Sequence, residues 1–227
     1  MRMKALLAGD IRFQLKYGFY FIYLFFTILY IALLYALPMD WRKKAAILMI
    51  FTDPAAMGLY FMGAIVLFEK SERVLNSIAV SPVKPIEYVT SKLISIALMS
   101  IVVGLIIGIS ASFIANPVFF IIGIFLGSCL FSSIALIVAA NIASLNQFMV
   151  ASIPAEVLIN LPAIAWLFGW KPDWLILHPG VCIIELCQNG DRVLPATAIL
   201  AIWTILCALL ATQITDRSFR ALGGVKL

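Results

Sequence analysis

Ser152, Glu156 and Asn160 are spaced by four in the apolar stretch "ASIPAEVLINLP", so on a helix they share one face. A hydroxyl, a carboxylate and an amide in line inside hydrocarbon are costly, and an intramembrane ionisable group marks a functional site by default. Two readings stand. The line borders the route of a transported molecule, or a protonated Glu156 is satisfied by Ser152 and Asn160 in a helix bent by Pro154 and Pro162. Asp53, in "FTDPAA", is another acid in apolar surroundings. Thr52 or Asp53 as N-cap with Pro54 at the first helical position is a helix-start signal. Asp53 is therefore expected to cap the outer end of a second span, with a substrate-facing carboxylate on the translocation path as the alternative.

The densest charge lies elsewhere. "FEKSERVLNSIAVSPVKPIEYVTSK", Phe68 to Lys92, holds seven of the 27 charged side chains, and Leu93 to Ala155 holds none. Glu69 and Glu72 end the second span. Val74, Leu75, Ile78 and Ala79 then form an apolar stripe of a short amphipathic helix, which Pro82 and Pro85 stop. A loop that only marked topology would need basic residues, not interleaved acids. A mixed-charge helix with an apolar stripe suits the docking of another protein.

The positioning elements follow from composition. Of the 227 residues, 64% are hydrophobic and 12% charged, against roughly 45–50% and about 25% in soluble domains. Lipid must solvate much of such a chain, so an all-α integral membrane protein is expected. The net charge of +5 fits positively charged membrane-side loops and shows no aromatic-interleaved platform for nucleic acid. Tyr17 to Met39 is too long an apolar stretch for a signal peptide and reads as an uncleaved span. The 63 residues from Leu93 to Ala155 would make one helix about 95 Å long, so they must fold back. Breaks are expected at Asn116-Pro117 and at "NIASLNQ", Asn141 to Gln147.

Six spans result: Tyr17–Leu37, one within Ala45–Phe68, Leu93–Ala115, Pro117–Ala140, Phe148–Phe168 and Leu194–Thr215. With both termini inside, eleven of the 16 Lys and Arg residues lie inside, which supports N-in and C-in. The exceptions include Arg42, Lys43 and Lys44. Residues 1–16 are expected to form an amphipathic cytoplasmic surface helix with Leu6, Leu7, Ile11 and Phe13 in lipid. Residues 69–92 form the cytoplasmic loop. Residues 169–193, with "WLILHPGVCIIELC", suggest two external half-helices re-entering the leaflet around Pro179-Gly180. A second-span helix starting at Pro54 would have to run to about Arg73, fusing span and loop into one lever. Cys182 and Cys187, five apart, are expected to be free thiols, and His178 a turn residue. Gly104-x-x-x-Gly108 and Gly123-x-x-x-Gly127 are expected to serve packing within the chain.

No P-loop, HExxH, CxxC or GxSxG motif is present, so no catalytic residue, metal ligand or cofactor site is expected. The island Glu72, Arg73, Leu75, Ser81, Pro82, Glu87, Tyr88 and Lys92 resembles the segment after the second span of ABC-2 type transporter permeases. Val74 stands where that family has Gly-Thr. The small size and the "TDP…FEKSER" run look most like its fluoroquinolone-export type. The resemblance implies one ABC-2 transmembrane domain over residues 1–227, working as a dimer with a second or sister permease. It implies a separate cytoplasmic ATPase that binds ATP and Mg. By the same resemblance the coupling interface comprises Glu69, Lys70, Glu72, Arg73, Val74, Leu75, Ile78, Ser81, Pro82 and Lys84. The expected activity is export of a hydrophobic or amphipathic compound (drug-like, lipid or peptide) across the cell membrane. An ion-coupled carrier using Glu156 and a haem-handling assembly subunit are the alternatives.

Overall fold

The computed structural model describes residues 2–52 and 58–222, and all regular structure among them is helical. The helices are α1 (Arg2–Lys16), α2 (Phe19–Ala36), α3 (Met39–Thr52), α4 (Leu59–Ser71), α5 (Val74–Ala79), α6 (Pro85–Ser110), α7 (Pro117–Ala140), α8 (Leu145–Leu167), α9 (Pro179–Gln188) and α10 (Val193–Leu222). A 3-10 turn, Asp173–Leu177, precedes α9. Among the described residues, five helices are long and apolar enough to cross a membrane: α2, α6, α7, α8 and α10.

Local chemistry explains the boundaries. Gly18, at φ 75°, makes the left-handed turn between α1 and α2. Asn116 caps α7 through its side chain, which accepts from the Val118 N–H at 3.1 Å, and Pro117 occupies the first turn. Ser144 caps α8 by accepting from the Gln147 N–H. Both breaks thus fall where the sequence places them. The third expected span begins earlier, at Pro85, because Glu87 accepts from the Lys84 N–H and starts the helix there.

The second expected span differs more. Its residues form α3 and α4 in series, about 21 and 20 Å long, each short of a roughly 30 Å hydrocarbon core. Phe51, near the end of α3, meets Phe131 of α7 edge-on. Gly58, before α4, lies against Ile96, Ser128 and Ser132. Phe51 and Gly58 therefore both lie beside the middle of α7, on the two sides of residues 53–57. Asp53 and Pro54 lie outside the described residues. The fused lever to Arg73 is also absent, since α4 ends at Ser71 and Arg73, at φ 59°, starts a separate α5. That turn folds Leu75 back into the protein.

Helix α7 is the central post, packed by α10, α6, α4 and α9. Its glycines admit α9. A Cβ on Gly123 would come within 2.9 Å of Leu186, and one on Gly127 within 2.9 Å of Ile183. Gly127 lies about 15 Å along α7 from Pro117, so the first turn of α9 reaches deep into the bundle before the chain returns. All of α9 from Pro179 to Cys187 is buried. Where two half-helices are expected, the structure has one α-helix, α9, preceded by the five-residue 3-10 turn. His178 sits at the turn, its ring beside the Leu158 carbonyl, which Pro162 leaves without its helical N–H partner. Cys182 and Cys187 are free and buried. Gly104 likewise packs on Ile124 within the chain.

Candidate functional site: an ionic knot beneath an exposed crest

The helix ends that carry the island meet α1. Lys92, 1% exposed, pairs with Asp10 of α1 at 2.6 Å and with Glu69 of α4. Tyr88, one turn before Lys92, donates to the other Glu69 oxygen at 2.7 Å. Ser91 donates to Asp10, and Gln14 of α1 donates to Ser95 at 2.9 Å. One cation and two carboxylates therefore tie three helices, with every carboxylate oxygen occupied. A buried charge is tolerated only when paired in this way.

Lys70 serves a second junction. Its ammonium donates to the carbonyls of Ala139, Ala140 and Ile142 at 2.6, 2.7 and 3.1 Å, capping the C-terminus of α7. A cation there also complements the helix dipole. Phe219 of α10 meets the Tyr88 ring edge-on, so α10 joins the same assembly.

Island residues consequently divide into two sets. Glu69 and Leu75 are buried, Lys70 is committed to α7, and Val74, Ile78 and Ser81 are partly covered. Ile78 and Val74 face a groove of about 410 Å³ shared with Leu6 and Phe13 of α1. The apolar stripe thus packs largely on its own chain. Exposed are Glu72, Arg73, Asn76, Ser77, Val80, Pro82 and Lys84, with Val80 at 77%. Glu72 accepts a hydrogen bond from Tyr17, whose hydroxyl pKa it holds above the ordinary range, with burial adding to the shift.

The predicted face of α8 is partly assembled. Glu156 accepts from Tyr60 of α4 at 2.6 Å rather than from its helix neighbours. Ser152 donates to its own Met149 carbonyl, and the Asn160 side-chain oxygen is buried without a partner. The self-satisfied Ser152–Glu156–Asn160 arrangement is therefore not what holds Glu156.

Two groups were missed from sequence. Asp10 and Gln14 turn inward, so α1 is held by polar contacts with α6 as well as by its apolar residues. Glu185 in α9, 4% exposed, accepts from the Trp166 indole N–H at 3.1 Å and the Arg192 backbone N–H at 3.2 Å. A Cβ on Gly190 would strike that carboxylate. The acid-glycine spacing was the available signal for Glu185, since a carboxylate five residues before a glycine can fold over it.

Five helices long and apolar enough to cross a membrane, packed with a short buried helix, mark a multi-pass membrane protein. The chain belongs to the fluoroquinolones export permease protein family, which it matches over residues 1–217. It is similar to two fluoroquinolones export permease proteins of Mycobacterium tuberculosis, from strains CDC 1551 / Oshkosh and ATCC 25618 / H37Rv. Each is 25% identical over 180 residues, covering 78% of this chain and 76% of the relative.

Proposed function

We propose that this chain is the transmembrane subunit of an ABC exporter that expels a hydrophobic or amphipathic compound from the cell. The exposed crest of α5 carries the reading: Glu72, Arg73, Asn76, Ser77, Val80 and Lys84 project above a buried ionic knot. Opposite charges and an exposed valine on a firmly anchored segment suit a protein partner. That partner is a cytoplasmic ATPase holding ATP and Mg, and the crest sets partner choice through its charges. Glu69, Lys70 and Leu75 act beneath it, as anchors that pass its displacement to α1, α6, α7 and α10.

In this reading the crest and both termini are cytoplasmic, and α3 with α4 supplies the sixth crossing. Residues 1–227 form one domain in the cell membrane, paired with a second or sister permease. Ser152, Glu156, Asn160 and Tyr60 border the route, and Asp53 is proposed as a further carboxylate on it. Membership in an export permease family supports the transport role. The chain itself supplies no catalytic group.

Co-expression with a P-loop ATPase tests this. Glu72→Arg and Arg73→Glu should each release the ATPase, and the double exchange should not restore native binding unless the partner's charges are exchanged too. Undiminished transport by a chain that binds no ATPase sinks the reading.

A further inference from the structure

The triplet Arg42-Lys43-Lys44 lies at the end of the bundle opposite the ionic knot, and packing explains only two of its members. Arg42 closes α2, donating to the Leu37 and Tyr35 carbonyls at 3.0 and 3.2 Å and stacking over the Tyr35 ring. Lys44 lies over the Phe168 ring. Lys43 is exposed and makes no hydrogen bond or ion pair with the described residues. It lines a cavity of about 580 Å³, with Arg42 and Tyr35 on one side and the Ser110 to Phe113 turn on the other.

Beneath that cavity the same two helices part. An apolar groove of about 410 Å³ runs between α2 and α6, floored by Tyr23, Thr27 and Met99 and open at Leu24, Val102 and Ile106. On α6 the groove's Ile106 lies one turn, about 6 Å, below Ser110 of the polar cavity, and on α2 its Thr27 lies about 12 Å below Tyr35, so the two are stacked along one seam. Tyr20 to Tyr35 covers about 22 Å of α2, more than the about 15 Å depth of one leaflet's hydrocarbon. Cations above a lipid-open apolar slot reproduce the polarity of a phospholipid. A soluble anion would use only the upper part, and a neutral apolar molecule only the lower.

We propose that the α2–α6 seam binds one anionic phospholipid. Lys43 and the guanidinium N–H groups that Arg42 has left hold the phosphate, and one acyl chain lies in the groove. The triplet at this end is then a lipid contact, not a topology marker. The site is independent of ATPase coupling.

Native mass spectrometry of the full chain, purified in detergent and exchanged with equal phosphatidylglycerol and phosphatidylcholine of the same acyl chains, reads the site. One phosphatidylglycerol per chain should be retained, with a preference of roughly tenfold that Lys43→Glu abolishes. Lys43 is exposed and makes no hydrogen bond or ion pair with the described residues, so thermal unfolding of that variant should match the parent. Val102→Trp, which fills the groove and spares the cations, should reduce retention of both lipids. Equal retention of the two lipids with Lys43→Glu silent overturns the proposal. Competition by glycerol phosphate as strong as by phosphatidylglycerol also overturns it, by making this a free-anion site. Efficient disulfide linking of Leu24→Cys to Val102→Cys between copies in membranes would assign the groove to a second copy, and overturn it likewise.

Discussion

At the α1 end, Lys92 lies between Asp10 and Glu69, with Tyr88 and Ser91 completing their coordination. At the α9 end, Glu185 is as deeply buried but among the described residues has an indole and a backbone N–H as its hydrogen-bond partners, and α9 is seated by glycines and aliphatic side chains. The first end is joined by ionic contacts whose loss leaves stranded charge. The second is joined by shape, where an error costs in proportion to the volume displaced. Such a division fits the proposed coupling, in which the first end would transmit force and the opposite end would admit and release apolar molecules. Directional contacts resist sliding at every point of the first end, whereas α9 meets them mainly at Glu185 and otherwise rests on apolar contact.

The comparison breaks most clearly at Lys92. Lys92→Met strands two carboxylates and should lower stability by about 3–5 kcal/mol, measured by denaturant unfolding in detergent. Adding Asp10→Asn and Glu69→Gln to that variant should recover more than half of the loss. Simple addition of the three costs would show that the knot is not a charge-balanced unit. Next comes Gly127→Leu, whose side chain must displace Ile183, at about 1–3 kcal/mol. Maleimide labelling of Cys182, buried in the native protein, should rise in this variant and not in Lys92→Met. Glu185→Gln keeps one acceptor but turns an amide NH2 toward the second donor, and should cost about 1–2 kcal/mol. An effect as large as that of Lys92→Met would erase the contrast between the ends. The smallest change in stability is expected from Arg73→Gly. It relieves the left-handed backbone and should raise stability by about 1 kcal/mol while weakening ATPase capture in a pull-down.

Much of the architecture was legible because it is local. Asn116-Pro117, Ser144 within "NIASLNQ" and Pro179 are caps and breakers that act on their own neighbours, and each starts a helix as expected. The long-range pairings were not legible. Lys92 meets residues 82 and 23 positions away, and Glu156 meets Tyr60 at a separation of 96. Residue type shows that a buried charge needs a partner without choosing one. For α1, counting apolar residues pointed only Leu6, Leu7, Ile11 and Phe13 toward a nonpolar phase. Asp10 and Gln14 looked solvated until Ser91, Lys92 and Ser95 came opposite them. The break at Glu72-Arg73 carries no local signal either, since arginine is not a residue that asks for a positive φ. The crest could be named from its charges, but which of its residues face outward depended on that one dihedral.

Helix α10 touches both ends. Phe219 rests on Tyr88 beside the knot, Thr204 donates to the Leu126 carbonyl of α7 at 3.2 Å, and the Trp203 indole donates to the Leu177 carbonyl ahead of α9. At 30 residues it is about 45 Å long. Pivoted at Thr204 through about 5°, such a rod moves its far tips in opposite directions by about 2 Å and about 1 Å. The moment arm is longer on the Phe219 side, so motion is geared down as it travels. In the proposed coupling, a coarse push at the crest would arrive at α9 as a finer displacement, on the scale of the close contacts that Gly123 and Gly127 make with it.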